Sequence, residues 1–254
     1  GGVDRAPLPR RAVLGIPADP LAADVVRIVG AEAARLAAAE PALPMDPDPA
    51  AEPDLHTLAA IRLGARVADL LVDPLCRSVY SRPARAVRLS QLHPALWRRY
   101  REHGSLVAAA ASLAPDARPG SAVAGIRGGV WRLAAALADL ARGHGARILA
   151  EAPVEALRPA AGGHELVLGD GSPIRARRIV LATDASVATA LLGAADASDE
   201  TTPDAVAIAH VAVQAPALDV FPVGSGVIVA PGTGAAAKAL THVNAKWPWV
   251  AEAL

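Results

Sequence analysis

The paired glycines Gly128-Gly129 and the segments VWRLAAALADLARGHGA (130–146), RILAEAPVEALRP (147–159) and HELVLGDGSPIRARRIVLAT (164–183) decide how the chain is read, because the apolar period changes within them. Leu133, Leu137 and Leu140 fall on one side of a helix, which Gly143 and Gly145 bring to an end. The next two segments read as β. Within the last of them, Asp170-Gly171 between alternating residues is a hairpin signal.

Working outward toward the N-terminus, the chain is almost all helix. Pro7, Pro9, Pro17 and Pro20 exclude one continuous helix over residues 1–20, since each lacks an N–H and biases its predecessor away from the helical region. The pattern predicts a helix over 21–39. A proline-rich acidic loop follows between Glu40 and Asp54. From Asp54, a good N-cap, DLHTLAAIRLGARVADLLV (54–72) predicts one or two helices that stop at Asp73-Pro74. A helical pair is expected over 93–103 and 105–113, before Pro115, Pro119 and Gly120 break the pattern. Working outward the other way, a short helix near 185–192 precedes three strand-like runs, AVAIAHVAVQ (205–214), GSGVIVAP (224–231) and AKALTHVNA (237–245). There is no internal repeat.

At 254 residues and 53% hydrophobic, the chain has apolar material for one large core or two smaller ones. Its 25 basic and 25 acidic residues balance, so no whole-molecule field draws in nucleic acid. A single cysteine, Cys76, excludes an internal disulfide framework and a multi-thiolate metal site, and makes the cytoplasm the default compartment. No apolar run reaches the roughly 18 to 20 residues of a membrane-spanning helix.

Few motifs carry chemistry. There is no G-x-S-x-G elbow, no H-E-x-x-H and no P-loop, and the seven histidines lack metal-ligand spacing, so each reads as surface or structural and no metal is expected. Gly232-Thr233-Gly234-Ala235-Ala236-Ala237 resembles a dinucleotide fingerprint, but the residues after it turn β-like and meet Pro248, so a hairpin connection is the better reading. Arg98, Arg99 and Arg101 beside Trp97 and Tyr100 form a basic-aromatic cluster, the candidate for peripheral membrane contact or an anionic substrate, against the ordinary reading of a solvated face.

Several phrases, in their order, resemble one family, the porphyrinogen oxidases of haem synthesis within the flavin-containing amine oxidases. They are ADLLVDPLCRSVYS (68–81), HGSLVAAA (103–110), GIRGGVWRLAAALA (125–138), APVEAL (152–157), RRIVLATDA (177–185), GSGVIVAP (224–231) with Lys238, and AKWPWVAEAL (245–254). The resemblance implies a mixed α/β (α+β) fold, with part of an FAD-binding domain of the amine-oxidase/GR2 type and a largely helical substrate domain carrying an antiparallel sheet. It divides the chain into helical substrate domain (1–120), FAD-binding part (121–195) and substrate-domain strands (196–254). It implies FAD as cofactor, with Val154 at the adenine end through its backbone and Trp247 near the flavin. Without the resemblance, Val154 reads as a core strand residue and Trp247 as a packing aromatic.

The implied reaction is oxidation of coproporphyrinogen III or protoporphyrinogen IX by oxygen, with porphyrinogen and oxygen as partners and no residue assigned as catalytic. Arginines of the substrate domain are the candidates for the propionates. Two departures stand out. The family's fingerprint strand and closing segment are not in these residues, which implies an internal fragment, and Arg77-Ser78 replace the usual glycine pair before Val79-Tyr80. The competing readings are another flavin-dependent amine oxidase or desaturase, and a non-catalytic helical binding module.

Overall fold

A computed structural model describes residues 5–45, 52–114, 124–193 and 205–253. The chain divides into two compact units, one of Gly1–Gly128 with Ile208–Leu254 and one of Gly129–Ala207.

The first unit opens on a two-residue ribbon, β1 (Ala12–Val13) against β2 (Ile16–Pro17), turned by Leu14 and Gly15 at positive φ. Gly15 is required for space as well as for φ, because a Cβ there would come within 2.3 Å of the Leu71 carbonyl oxygen. The helix expected over 21–39 is two, α1 (Ala23–Val29) and α2 (Ala31–Ala38), broken where Gly30 takes φ 84°. A 3₁₀ turn follows at Glu40–Ala42 within the expected loop, whose residues 46–51 lie outside the described residues.

Asp54 caps α3 (Leu55–Leu63) as its sequence predicts, accepting from Thr57 N at 2.8 Å and Thr57 Oγ1 at 2.7 Å. Burial works to raise its pKa and is outweighed by the two Thr57 hydrogen bonds, with Arg85 and His56 assisting, so the carboxyl is held below its usual value. The helices Pro94–His103 and Leu106–Leu113 match the predicted pair, the first capped by His93 Nδ1 and the second by Ser105 Oγ. The core between these elements includes Ile16, Val29, Leu63, Val72, Leu96 and Leu106, all essentially inaccessible.

Inside this core sits a fully buried acid, Glu40, facing a buried base, Arg62. Arg62 Nη2 lies 2.6 Å from Glu40 Oε1, and the guanidinium also donates to Pro44 O at 2.8 Å and Gly104 O at 2.7 Å. Glu40 in turn accepts from Leu106 N at 2.9 Å, Val107 N at 3.3 Å and the Ser105 hydroxyl, placing its charge at the N-terminus of the helix Leu106–Leu113. The Arg62 guanidinium also stacks 5.7 Å from the Tyr100 ring centroid.

The second unit holds the helix Trp131–Gly143 and a three-stranded antiparallel meander of β3 (Val154–Ala160), β4 (Gly163–Leu168) and β5 (Pro173–Ala176). The turn between β4 and β5 is the predicted Asp170-Gly171 hairpin, in which Asp170 Oδ1 accepts from Ser172 Oγ at 2.6 Å and Ser172 N at 2.8 Å. Residues 177–183, expected as a strand, pair with none among the described residues, and Val180 is 89% exposed. The helix behaves alike: Trp131, Leu133, Leu137 and Leu140 are all more than half exposed.

Late in the first unit, β6 (Gly226–Ile228) and β7 (Ala239–Thr241) form an antiparallel hairpin. Gly232 to Ala237 lie in its connection, as the sequence indicates, and not in a dinucleotide loop. The run 205–214, also expected as a strand, has no ladder among the described residues. No described helix is long and apolar enough to cross a membrane.

Two stability tests follow from this unit. Arg62→Met leaves a buried carboxylate unpaired and is expected to lose about 3 to 5 kcal/mol in urea denaturation, while Glu40→Gln/Arg62→Met recovers part of that loss. Asp54, with its folded pKa depressed, contributes stability that is present above its ordinary value of 3.8 and disappears as pH falls through the lower folded value. Asp54→Ala is expected to cost about 1 kcal/mol at neutral pH and to flatten the acid limb of the stability profile.

Candidate functional site

The segment from Ala68 to Ser81 does not stop at Asp73-Pro74, contrary to the sequence expectation. It runs as a π turn (Ala68–Val72), a short α turn (Asp73–Leu75) and a second π turn (Cys76–Tyr80), and ends where Ser81 takes φ 60°. The Asp73 N–H reaches back five residues to Ala68 O. That wider turn gives the Pro74 ring room against the carbonyl four residues before it, which in an ordinary α-helix it would strike.

Asp73 then fixes the segment from inside. Its Oδ1 accepts from Ala84 N at 2.8 Å and its Oδ2 from Arg77 Nε at 2.6 Å. Ser78 Oγ donates to the Lys238 carbonyl at 3.1 Å, and Lys238 Nζ donates to Ser81 Oγ at 2.6 Å, a two-point clasp joining the second π turn to the start of β7. Arg77 and Ser78, the residues that replace a glycine pair, are thus both engaged. Cys76 is buried, and burial, reinforced by the Asp73 charge, pushes its thiol up to about 11.

Trp247 lies between the short helical turns Val243–Lys246 and Pro248–Ala251. Its ring rests on Gly125, where a Cβ would come 2.7 Å from Cη2 and 2.8 Å from Cζ3. The Lys246 ammonium stands 5.7 Å from the ring centroid, and Arg127 Nη2 meets Glu252 Oε2 at 2.5 Å, tying the same two segments again. The indole is half-buried.

Val154 belongs to the second unit, at the start of β3. Pro153 O accepts from Gly169 N on the β4 side, so by alternation the N–H and C=O of Val154 point away from β4, toward the edge of β3 that no described strand occupies. The register shift between Val154 and Ala156 leaves Glu155 as a bulge, a feature that often re-aims a strand beside a functional site.

In the basic-aromatic cluster, Arg98 is exposed. Tyr100 is buried under Arg62, Arg101 stands 5.8 Å over the Trp97 ring, and Arg99 pairs with Glu102 at 2.9 Å. Sequence reasoning missed Gly125 and the Ser78 and Ser81 hydroxyls. Nothing local marks Gly125 as the floor beneath an aromatic more than a hundred residues later.

The family of flavin containing amine oxidoreductases matches residues 10–219. The chain belongs to this family. Among curated relatives, protoporphyrinogen oxidases of Homo sapiens and Macaca fascicularis are each 32% identical over 157 residues, which cover 56% of this chain and 33% of theirs. A solved structure assigned to the protoporphyrinogen oxidases, from Exiguobacterium sp. 255-15, superposes with a TM-score of 0.67 at 20% identity, covering 96% of this chain and 53% of that one. The chain therefore spans about a third of the length of these curated relatives and about half of the solved neighbour. Its helices and small antiparallel sheets are those of a flavin-dependent oxidoreductase fold, and the family's cofactor agrees with the FAD expected from the sequence.

Two measurements address these positions. Gly125→Val is expected to displace the Trp247 ring, costing about 1 to 3 kcal/mol of stability and changing the near-ultraviolet dichroism, whereas Ile126→Val leaves both unchanged. Cys76 is expected to resist a thiol reagent at neutral pH in the folded chain and to react at once in denaturant.

Proposed function

We propose that the protein of which this chain forms part oxidises a porphyrinogen to the corresponding porphyrin with FAD and oxygen, in haem synthesis. The observation that carries this reading is the 32% identity to protoporphyrinogen oxidases over 157 residues. Coproporphyrinogen III and protoporphyrinogen IX are both within the proposal, as is a cytoplasmic location.

Each unit, taken by itself, offers one feature suited to a flavin. The edge-directed N–H and C=O of Val154 offer one donor and one acceptor, which suits the adenine end of the nucleotide without a polar side chain. The half-buried indole of Trp247, held on Gly125, offers a flat apolar wall that excludes water beside a reacting ring. When bound, FAD supplies the hydride acceptor and hands the electrons to oxygen as hydrogen peroxide. The chain's own task is to hold a large tetrapyrrole and keep water from it.

The test uses the longest natural polypeptide that contains this chain. It is expected to purify with the yellow flavin band and to generate porphyrin fluorescence from coproporphyrinogen or protoporphyrinogen, with peroxide released. A colourless protein that stays so with added FAD overturns the flavin reading. A yellow protein that releases peroxide from amines but forms no porphyrin moves the assignment to the amine oxidases.

A further inference from the structure

Lys238 is a cation that the fold holds in place without neutralising it. It is half-buried, its ammonium donates to Ser81 Oγ, and among the described residues no carboxylate pairs with it. The acid nearest in sequence to its hydroxyl partners, Asp73, is committed to Arg77 and to Ala84 N. An ammonium has three donors, and the hydrogen bond to Ser81 takes one. A half-buried ammonium with two donors to spare is suited to take an anion.

The surroundings narrow the chemistry of that anion. Ser81 accepts from Lys238, which leaves its own hydroxyl hydrogen to donate outward, whereas the Ser78 hydrogen is spent on the Lys238 carbonyl. Ser81 also holds φ 60°, a strained setting for a residue other than glycine, at the end of a π turn, and such settings gather at ligand clamps. In the same turn, Val79 and Tyr80, which precede Ser81 in the chain, are 60% and 39% exposed, so the turn carries apolar surface as well as donors.

We propose that Lys238 and Ser81, with Ser78 holding the lysine backbone, form the binding point for a carboxylate carried on an apolar body. Resting on the porphyrinogen reading, that carboxylate is a propionate of the macrocycle, whose ring lies against Val79 and Tyr80. The site is a specificity determinant, since an ammonium and a hydroxyl reward a charged propionate more than its neutral ester.

The test compares coproporphyrin III with its tetramethyl ester as probes, by fluorescence titration of the flavin-loaded full protein. Lys238→Met is expected to weaken the free acid about tenfold, the size of one lost charge-assisted hydrogen bond, and to weaken the ester by a clearly smaller factor. Lys238→Arg restores most of the affinity for the acid, and Ser81→Ala weakens it by a smaller factor. Equal weakening of acid and ester by Lys238→Met, or no change in either, overturns the subsite, the first marking a purely structural clasp. A wild-type protein that binds neither these probes nor protoporphyrin IX and its dimethyl ester overturns the porphyrinogen reading itself. One that binds acid and ester regardless of residue 238 keeps that reading and removes the lysine from it. If Lys238→Met fails to fold, Ser81→Ala and Lys238→Arg decide by the same acid-to-ester ratio.

Discussion

The buried pair of Glu40 and Arg62 is the constraint on which the helical unit is built. A carboxylate removed from water is costly, so it must be met by charge and by hydrogen bonds together. Arg62 provides the charge and a planar fork that reaches Glu40, Pro44 O and Gly104 O at once, a geometry that a lysine's single ammonium does not reproduce. Glu40 spends its remaining acceptor capacity on the first turn of the helix Leu106–Leu113. Four pieces of chain are thereby fixed to one point: the 3₁₀ turn, α3, the end of one helix and the start of the next. Each otherwise carries unsatisfied backbone groups into the core, because helix termini lack internal partners.

From that fixed frame, the segment after α3 acquires its unusual form. Gly15 brings the β1–β2 turn against the Leu71 carbonyl, and Asp73 binds both Arg77 and the backbone at Ala84. Held at both ends, residues 68–80 accommodate Pro74 by widening into two π turns instead of stopping. The segment closes on Ser78 and Ser81, which meet Lys238 some 160 positions later in the sequence. Glycines at 77 and 78 would give up both the Asp73–Arg77 bridge and the Ser78 contact.

What was legible in the sequence is what local chemistry decides. Asp54 caps its helix, and Asp170-Gly171 turns a hairpin, because each acts on residues two or three positions away. The acidic, proline-rich stretch that opens at Glu40 reads as a loop, yet Glu40 is the most buried of its described residues, since its partners lie 22 to 67 positions downstream. The continuation through Pro74 was illegible for the same reason: the proline rule assumes an α turn, and tertiary contacts supplied a wider one. Val154 and Trp247 became candidates by resemblance to a family. The edge-directed backbone of the first and the glycine floor of the second depend on a strand register and a distant contact that no window of sequence contains.

The second unit shows the complementary limit of pattern reading. The apolar period of Leu133, Leu137 and Leu140 correctly predicted a helix, and its face is apolar, but a period reports which side seeks cover and says nothing of what covers it. Among the described residues that face is open, as is Val180 in the run that reads as strand yet has no ladder. A helix of 13 residues gains little from propensity alone, so its stability depends on whatever its face is packed against. The β3–β4–β5 meander is differently placed. Its strands exchange backbone hydrogen bonds with one another, and its tight turn is locked by Asp170, whose carboxyl the Ser172 hydroxyl and N–H hold below its usual pKa. Within this unit the meander therefore supplies its own backbone pairing, and Val154 sits on it, at the edge of β3 that no described strand occupies.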